Sequence, residues 1–245
     1  MLDFGFYNED CMKGMKEFPD KYFDLAIVDP PYGISITQRH PVKNGSVLVG
    51  GGGRPFGGLR HNNRQIKNTT CESKFYHPFD DASAPNGEYF KEVQRVSKSQ
   101  IIWGGNFFLD YLGRTTCMIV WDKCRRGLDQ ADCELAWTSL EGQSRIFTFK
   151  WNGMLQEDMK NKEQRIHPTQ KPVKLYEWIL RNYAEPGYKI LDTHVGSASS
   201  LIACKRLNFD FVGFEIDKEY YRLACERIAR ETAQMTLTQY LGEMT

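Results

Sequence analysis

No apolar run in this 245-residue chain approaches the ~20 residues that a helical membrane span requires. The opening Met1-Leu2-Asp3-Phe4 also lacks the basic and apolar regions of a secretory signal. Paired cysteines are missing as well, since the seven cysteines (11, 71, 117, 124, 133, 204 and 225) are scattered, odd in number and without a Cys-x-x-Cys. That spacing excludes a disulfide framework or a zinc ribbon and favours buried, reduced thiols that pack as small hydrophobes. No metal site is expected. Charge of one sign is absent too, because 32 basic residues stand against 31 acidic ones for a net +1. What remains is the profile of a cytoplasmic globular protein, 41% hydrophobic and 26% charged, long enough to bury a sizeable core without staples.

The even charge balance hides an uneven distribution. Residues 34–80 carry Arg39, Lys43, Arg54, Arg60, Arg64, Lys67 and Lys74 against only Glu72 and Asp80. The same stretch holds Gly50 to Gly53, Gly57 and Gly58, so it reads as a long loop or insertion. A basic, glycine-rich loop suits a phosphate backbone; a solvated surface insertion is the alternative.

Around that insertion the hydrophobic pattern alternates between strand and helix. Short strands are expected at Leu2–Tyr7, Gln100–Trp103, Thr116–Trp121, Ala131–Thr138 and Ser144–Phe149. Tyr22–Asp29 is a near-continuous apolar run, the signature of a strand buried on both faces of a parallel sheet. Helices are expected at Asp10–Phe18, Asn86–Ser97 and from Pro172, whose stripe is Val173, Tyr176, Ile179, Leu180 and Tyr183. The chain then reads as strand Tyr188–Asp192, helix Ala198–Arg206, strand Phe211–Glu215 and a helix from Asp217 to about Thr232. This alternation argues for an α/β fold with a mostly parallel, doubly wound sheet.

Three segments carry chemistry. Asp29-Pro30-Pro31-Tyr32 stands where a buried strand leaves the sheet, and ligands of open α/β sheets bind at such ends. The prolines remove amide donors and leave carbonyls free, so a carboxylate, carbonyls and an aromatic face suit a planar ring bearing an NH2. Asp192 to Ser199 forms a strand-to-helix turn of small residues, followed some 22 residues later by Glu215 at the next strand end. Such a turn admits a ligand to the backbone, and the spaced acid can accept ribose hydroxyls. Ile166-His167-Pro168-Thr169-Gln170-Lys171-Pro172 joins polar groups and a cation to a helix start. Taken singly, each also fits a structural role: an acidic turn, tight helix–strand packing, a polar loop.

Together the three segments resemble the beta-class DNA amino-methyltransferases, which use S-adenosylmethionine. Asp29–Tyr32 is similar to their catalytic DPPY motif, Ile166–Pro172 to HPTQKP, and Asp192–Ser199 to the cofactor turn, in the order of that class. Further likeness lies in Ile101-Ile-Trp-Gly-Gly-Asn106, Val120-Trp-Asp-Lys123 and Glu134-Leu-Ala-Trp-Thr138. The resemblance implies a permuted Rossmann-like fold forming one methyltransferase domain over 1–245, with 34–80 as an inserted lid or target-recognition region. It implies catalysis by Asp29, Pro30, Pro31 and Tyr32 on the N6 amino group of adenine in DNA. N4 of cytosine, or a non-catalytic DNA-binding relative, are the alternatives. The implied cofactor set is Asp10 and Cys11 near adenine, Glu215 at the ribose, and Lys171 with the turn near Gly196 and Ser197 at the methionine end, with His167, Thr169, Gln170, Asp192, His194 and Ala198 as further cofactor-binding residues. A flipped-out base would stack on Tyr32. Homodimers are frequent in the family, and the resemblance implies either a role beside a separate cognate restriction enzyme or action alone as a phage or solitary methylase, in a bacterial or phage-infected cell. One departure stands out: the family turn usually reads Asp-Pro-Phe-x-Gly-Ser-Gly, whereas Thr193, His194 and Ala198 stand here at the Pro, Phe and second Gly positions.

Overall fold

In a computed structural model, residues 1–34, 42–43, 46–48, 75–77, 83–126, 131–152 and 155–242 are described. The elements in chain order are β1 (Gly5–Tyr7), α1 (Cys11–Gly14), β2 (Phe23–Val28), β3 (Val42–Lys43), β4 (Ser46–Leu48), β5 (Phe75–Tyr76), α2 (Gly87–Val96) and β6 (Ser97–Trp103). There follow β7 (Met118–Asp122), β8 (Cys133–Thr138), β9 (Arg145–Thr148), β10 (Trp151–Asn152), β11 (Leu155–Gln156), α3 (Val173–Tyr183), β12 (Lys189–Asp192), α4 (Ser199–Arg206), β13 (Asp210–Phe214) and α5 (Lys218–Gly242). Short polar side chains start the helices. Asp10 accepts from the Met12 N–H at 2.9 Å, Asn86 from Glu88 and Tyr89, and Asp217 from Glu219 and Tyr220, each satisfying amides that have no partner inside the helix.

Eight strands form one sheet in the order β1-β13-β12-β2-β6-β8-β7-β9. The first five are mutually parallel, β8 runs against both its neighbours, and β9 is parallel to β7. The apolar run of β2 explains its central place. Ala26 and Val28 face a layer built on α1 and α2, with Met15, Phe90 and Val93, while Leu25 and Ile27 face α3 and α4, with Leu175, Ile179 and Ile202. Both layers are closed to water, as a parallel sheet requires.

The permutation has a consequence for the site. From β12 the chain crosses through α4 to β13 on one side, and from β2 it crosses through α2 to β6 on the other. β12 and β2 are themselves paired, Ile190 opposite Leu25 and Leu191 opposite Ala26. The point where strand order reverses therefore lies between them, and Asp29 and Thr193 leave the sheet side by side at the crevice where ligands of such sheets bind.

Three details differ from the sequence reading. α5 runs to Gly242, not about Thr232, because no proline or glycine interrupts 218–241. β10 and β11 form an unexpected hairpin, too short for periodicity to reveal. Within the basic insertion, β3, β4 and β5 form a small antiparallel sheet rather than plain loop. The remainder of the expected lid region lies outside the described residues. Among the described residues no group of three or more His, Cys, Asp or Glu is placed to hold a metal, and no helix is long and apolar enough to cross a membrane.

Candidate active site

Asp29 follows directly on β2, and the two prolines after it carry the chain outward into Tyr32. The Tyr32 hydroxyl donates to Asp29 Oδ1 at 2.6 Å, and Lys171 Nζ donates to Asp29 Oδ2 at 2.5 Å. Lys171 is only 4% exposed and lies 3.1 Å from Glu134 Oε2, while the other Glu134 oxygen is bonded by Lys123. A chain of alternating charge thus runs Tyr32–Asp29–Lys171–Glu134–Lys123 through the floor of the cleft. Burial alone would push the Glu134 carboxyl up, but the Lys171 and Lys123 ammoniums overcome it and hold it down at about 2. Burial would likewise strip the proton from Lys171; Asp29 and Glu134 outweigh that and keep it above the ordinary lysine value. Burial, reinforced by both carboxylates, keeps Tyr32 a neutral phenol.

The Tyr32 ring has its own wall. Phe107, half exposed, stacks on it at 5.0 Å between centroids and 17° between planes. Gly104, with φ +67°, is required behind it, because a Cβ there would stand 2.2 Å from the ring.

The loop before α3 is held by its own polar groups. Gln170 Oε1 accepts the Ile166 N–H at 2.9 Å, the Gln170 carbonyl accepts the Trp151 indole N–H at 2.9 Å, and the Lys171 carbonyl accepts the Ser199 hydroxyl at 2.7 Å. His167 lies edge-on to Tyr220 at 4.3 Å and 3.0 Å from Thr169 Oγ1. Burial, with Arg165 and Lys171 nearby, depresses the imidazole to about 3, so it is neutral.

At the turn after β12, Asp192 accepts from the His194 N–H at 3.0 Å and from the Ser200 hydroxyl. Glu215 Oε2 accepts the Gly196 N–H at 2.8 Å and its Oε1 the Asp217 N–H at 2.9 Å, binding the two strand ends together. Gly196 has φ +54°. Ala198 is also left-handed, at φ +63°, and fully buried. A glycine would sit there without the ~1 kcal/mol that a Cβ costs in this region. The other two departures form a local network: Tyr89 Oη lies 2.7 Å from Thr193 Oγ1, which lies 2.9 Å from His194 Nδ1, and the His194 ring meets Tyr89 edge-on.

Burial holds His194 neutral, at about 4 against the opposing pull of Asp10, whereas an unburied imidazole titrates near 6.5. Between those values the unfolded chain takes up a proton that the folded one refuses, so stability falls as pH drops through this window. His194→Phe is therefore expected to gain in melting temperature relative to the parent as pH is lowered from 7 towards 4.5. A difference that stays constant with pH would contradict this.

A cleft of about 940 Å³ joins these parts. Asp29, Pro30, Pro31, Tyr32, His167, Thr169, Gln170, Lys171, His194, Gly196, Ser197 and Glu215 all line it. Asp10, Cys11, Asp192 and Ala198 are not among its lining residues. Asp10 caps α1, Cys11 packs in the core, and Asp192 and Ala198 are buried beneath the turn they shape. Three side chains escaped the site expectation. Lys123 and Glu134 stand in the segments Val120–Lys123 and Glu134–Thr138, whose likeness to the family assigns them no role. Arg227, 1% exposed on α5, donates to the Ser197 carbonyl at 2.8 Å, to Ser199 Oγ at 2.9 Å and to Glu163 at 2.7 Å. Glu163 in turn accepts the Val173 N–H at 2.9 Å, so Arg227 ties the turn to the start of α3. An arginine in a charged helix reads as surface, and no local signal marks it.

Comparison with known proteins shows the family and the fold. A family model described as DNA methylase matches residues 60–226, more than half of the chain. Among curated relatives, the type II methyltransferase M.HpaI of Haemophilus parainfluenzae is 42% identical over 71 residues, 29% of this chain and 23% of that protein. M2.DpnII of Streptococcus pneumoniae is 38% identical over 81 residues, 33% of this chain and 30% of that protein. The aligned stretches thus span less than a third of these relatives' own length. Solved structures share the fold across nearly the whole chain. A DNA modification methylase from Thermus thermophilus complexed with S-adenosyl-L-methionine gives a TM-score of 0.53 at 15% identity, over 92% of this chain and 93% of that one. The cytosine-N4-specific PvuII DNA methyltransferase gives 0.52 at 13% identity, over 95% and 91%. The M1.HpyAVI complex with the same cofactor gives 0.50 at 19% identity, over 91% and 98%. By the extent of the family match, this chain belongs to the N6/N4 DNA methylase family.

Proposed function

We propose that the chain transfers a methyl group from S-adenosylmethionine to the N6 amino group of adenine in DNA. The observation that carries this reading is the placement of the Asp29 carboxylate and the Pro30 backbone at the sheet's switch point, in one cleft with the Gly196–Glu215 turn. The cleft fits the cofactor on two counts. Its volume of about 940 Å³ admits a nucleoside-sized ligand together with a base. At its far end Glu215 lines the wall with each oxygen committed to one backbone N–H, and a carboxylate oxygen has a second lone pair for a hydroxyl. When bound, S-adenosylmethionine supplies an electrophilic methyl group.

The chain's own residues supply orientation. The exocyclic amine is a poor nucleophile because its lone pair is delocalised into the ring. Asp29 and the Pro30 carbonyl accept its two N–H bonds and favour a pyramidal nitrogen, directing the lone pair at the methyl carbon. Lys171 and the Tyr32 hydroxyl pin the carboxylate in place, and the aromatic wall of Tyr32 and Phe107 receives the ring of a flipped base. With the cofactor bound, the lone pair so directed would displace the methyl group from sulfur, and Asp29 would accept the proton that the nitrogen then releases and pass it to water. Adenine is preferred over cytosine because cytosine enzymes of the class more usually carry Ser in place of Asp29. Cytoplasmic location, a homodimeric state and a separate restriction enzyme of the same specificity belong to this reading.

Incubation with labelled S-adenosylmethionine and unmethylated genomic DNA, followed by nucleoside mass spectrometry, tests it. N6-methyladenine is expected. N4-methylcytosine would keep the mechanism and overturn the base, and absence of any product would overturn the activity.

A further inference from the structure

Besides the Lys171–Glu134–Lys123 chain, two further cations, Arg125 and Arg165, line the wall of the cleft. Those two guanidiniums bracket the β10 strand: Arg125 donates to Asn152 Oδ1 at 2.7 Å, and Arg165 lies over the Trp151 ring at 5.9 Å and donates to the Pro168 carbonyl at 2.5 Å. Arg125 Nε meets no acceptor, and among the described residues no carboxylate lies within ion-pair reach of Arg125. Burial acts on the Arg125 charge, and Arg165 adds to it by repulsion.

Like charges brought together in a half-buried wall destabilise one another unless an anion enters between them. Glu134 offsets part of this repulsion at Arg125, but it also serves Lys123 and Lys171 as their counter-ion. Planar guanidiniums offer paired N–H donors matched to phosphate oxygens. We propose that Arg125 and Arg165 form a phosphate-binding site for the DNA strand that carries the target base, gripping a backbone phosphate beside the flipped nucleotide. This rests on the DNA-methylating reading above.

The test is a titration of a short fluorescent duplex by anisotropy over a range of salt concentrations, with cofactor affinity measured by calorimetry on the same preparations. Arg125→Gln is expected to weaken duplex binding roughly three- to tenfold whatever the sequence, and to flatten the slope of log affinity against log salt by about 1, as loss of one phosphate contact requires. Cofactor affinity should be unchanged. Arg125→Lys, which keeps the charge as a point and loses the fork, should keep the slope and still lose a few-fold in affinity. An unchanged slope in folded Arg125→Gln, or Arg125→Lys indistinguishable from the parent, would overturn the site. Weakened cofactor binding with DNA binding intact would overturn it in favour of the cofactor's own carboxylate. A parent chain that binds no DNA would defeat the methylation reading along with it, and so differs from failure of the site alone.

Discussion

Asp29→Ala is expected to reduce methyl transfer by a factor on the order of 10³ or more while leaving cofactor affinity within about twofold of the parent. The carboxylate is the one charged acceptor placed at the head of the catalytic strand, and without it the amine keeps its lone pair in the ring. The separation from binding follows from the geometry. The turn that would hold the cofactor is braced by Glu215, Asp192 and Arg227, and none of those contacts runs through Asp29. The fold should also tolerate the change, because Lys171 retains Glu134 at 3.1 Å as a counter-ion. Single-turnover transfer and isothermal titration on the same variant separate the two quantities. Turnover like the parent's would sink the mechanism, whereas loss of cofactor binding would mean that Asp29 holds the cofactor instead.

The largest effect on stability is expected at Glu134. This carboxylate is flanked by Lys123 and Lys171, 9% and 4% exposed, and its removal takes from Lys123 the carboxylate it is bonded to and leaves Lys171 with Asp29. Breaking a buried pair from one side costs about 3–5 kcal/mol, so Glu134→Gln should lower the melting temperature by roughly 10 °C in a chain of this size. The damage comes from unpaired charge, not lost shape. Lys123→Met combined with Glu134→Met should therefore recover most of it, and a double variant no better than Glu134→Gln alone would refute that origin. The same pairing fixes the acid response. With the folded carboxyl held at about 2 against an ordinary 4.5, the stabilisation is present above 4.5 and lost as pH falls from there towards 2. Glu134→Gln should lack that component of the acid transition.

Much of this could be read from the residues in order. A parallel sheet buried on both faces follows from the run Phe23–Val28 and from the strand–helix alternation at both ends of the chain. The helix starts follow from Asp10, Asn86 and Asp217, whose side chains cap the helices that begin after them. The segments around Asp29, Lys171 and Gly196 stand out because prolines, glycines and a lone cation break the periodic pattern, and local conformation is what those residues control. For the same reason the question at Ala198 could be posed from sequence, while only the backbone angle of +63° answers it.

What no local pattern carries is the pairing of distant charges. Nothing in the order of residues joins Lys123, Glu134 and Lys171 to one another or to Asp29; the chain of charges forms because β8 inserts antiparallel between β6 and β7 while the loop before α3 brings Lys171 between Glu134 and Asp29. Arg227 reads as one more charge on a polar helix until α5 is laid against the turn at Ser197. Arg125 and Arg165 become neighbours only when β10 passes between them. Most of the elements, the burial of the sheet on both faces and the strand end at Asp29 were legible in the order of residues, since propensity and burial act over a few positions. Which charges share a cleft was left to the packed chain, because Coulomb energy depends on distances in space, not on separation along the sequence.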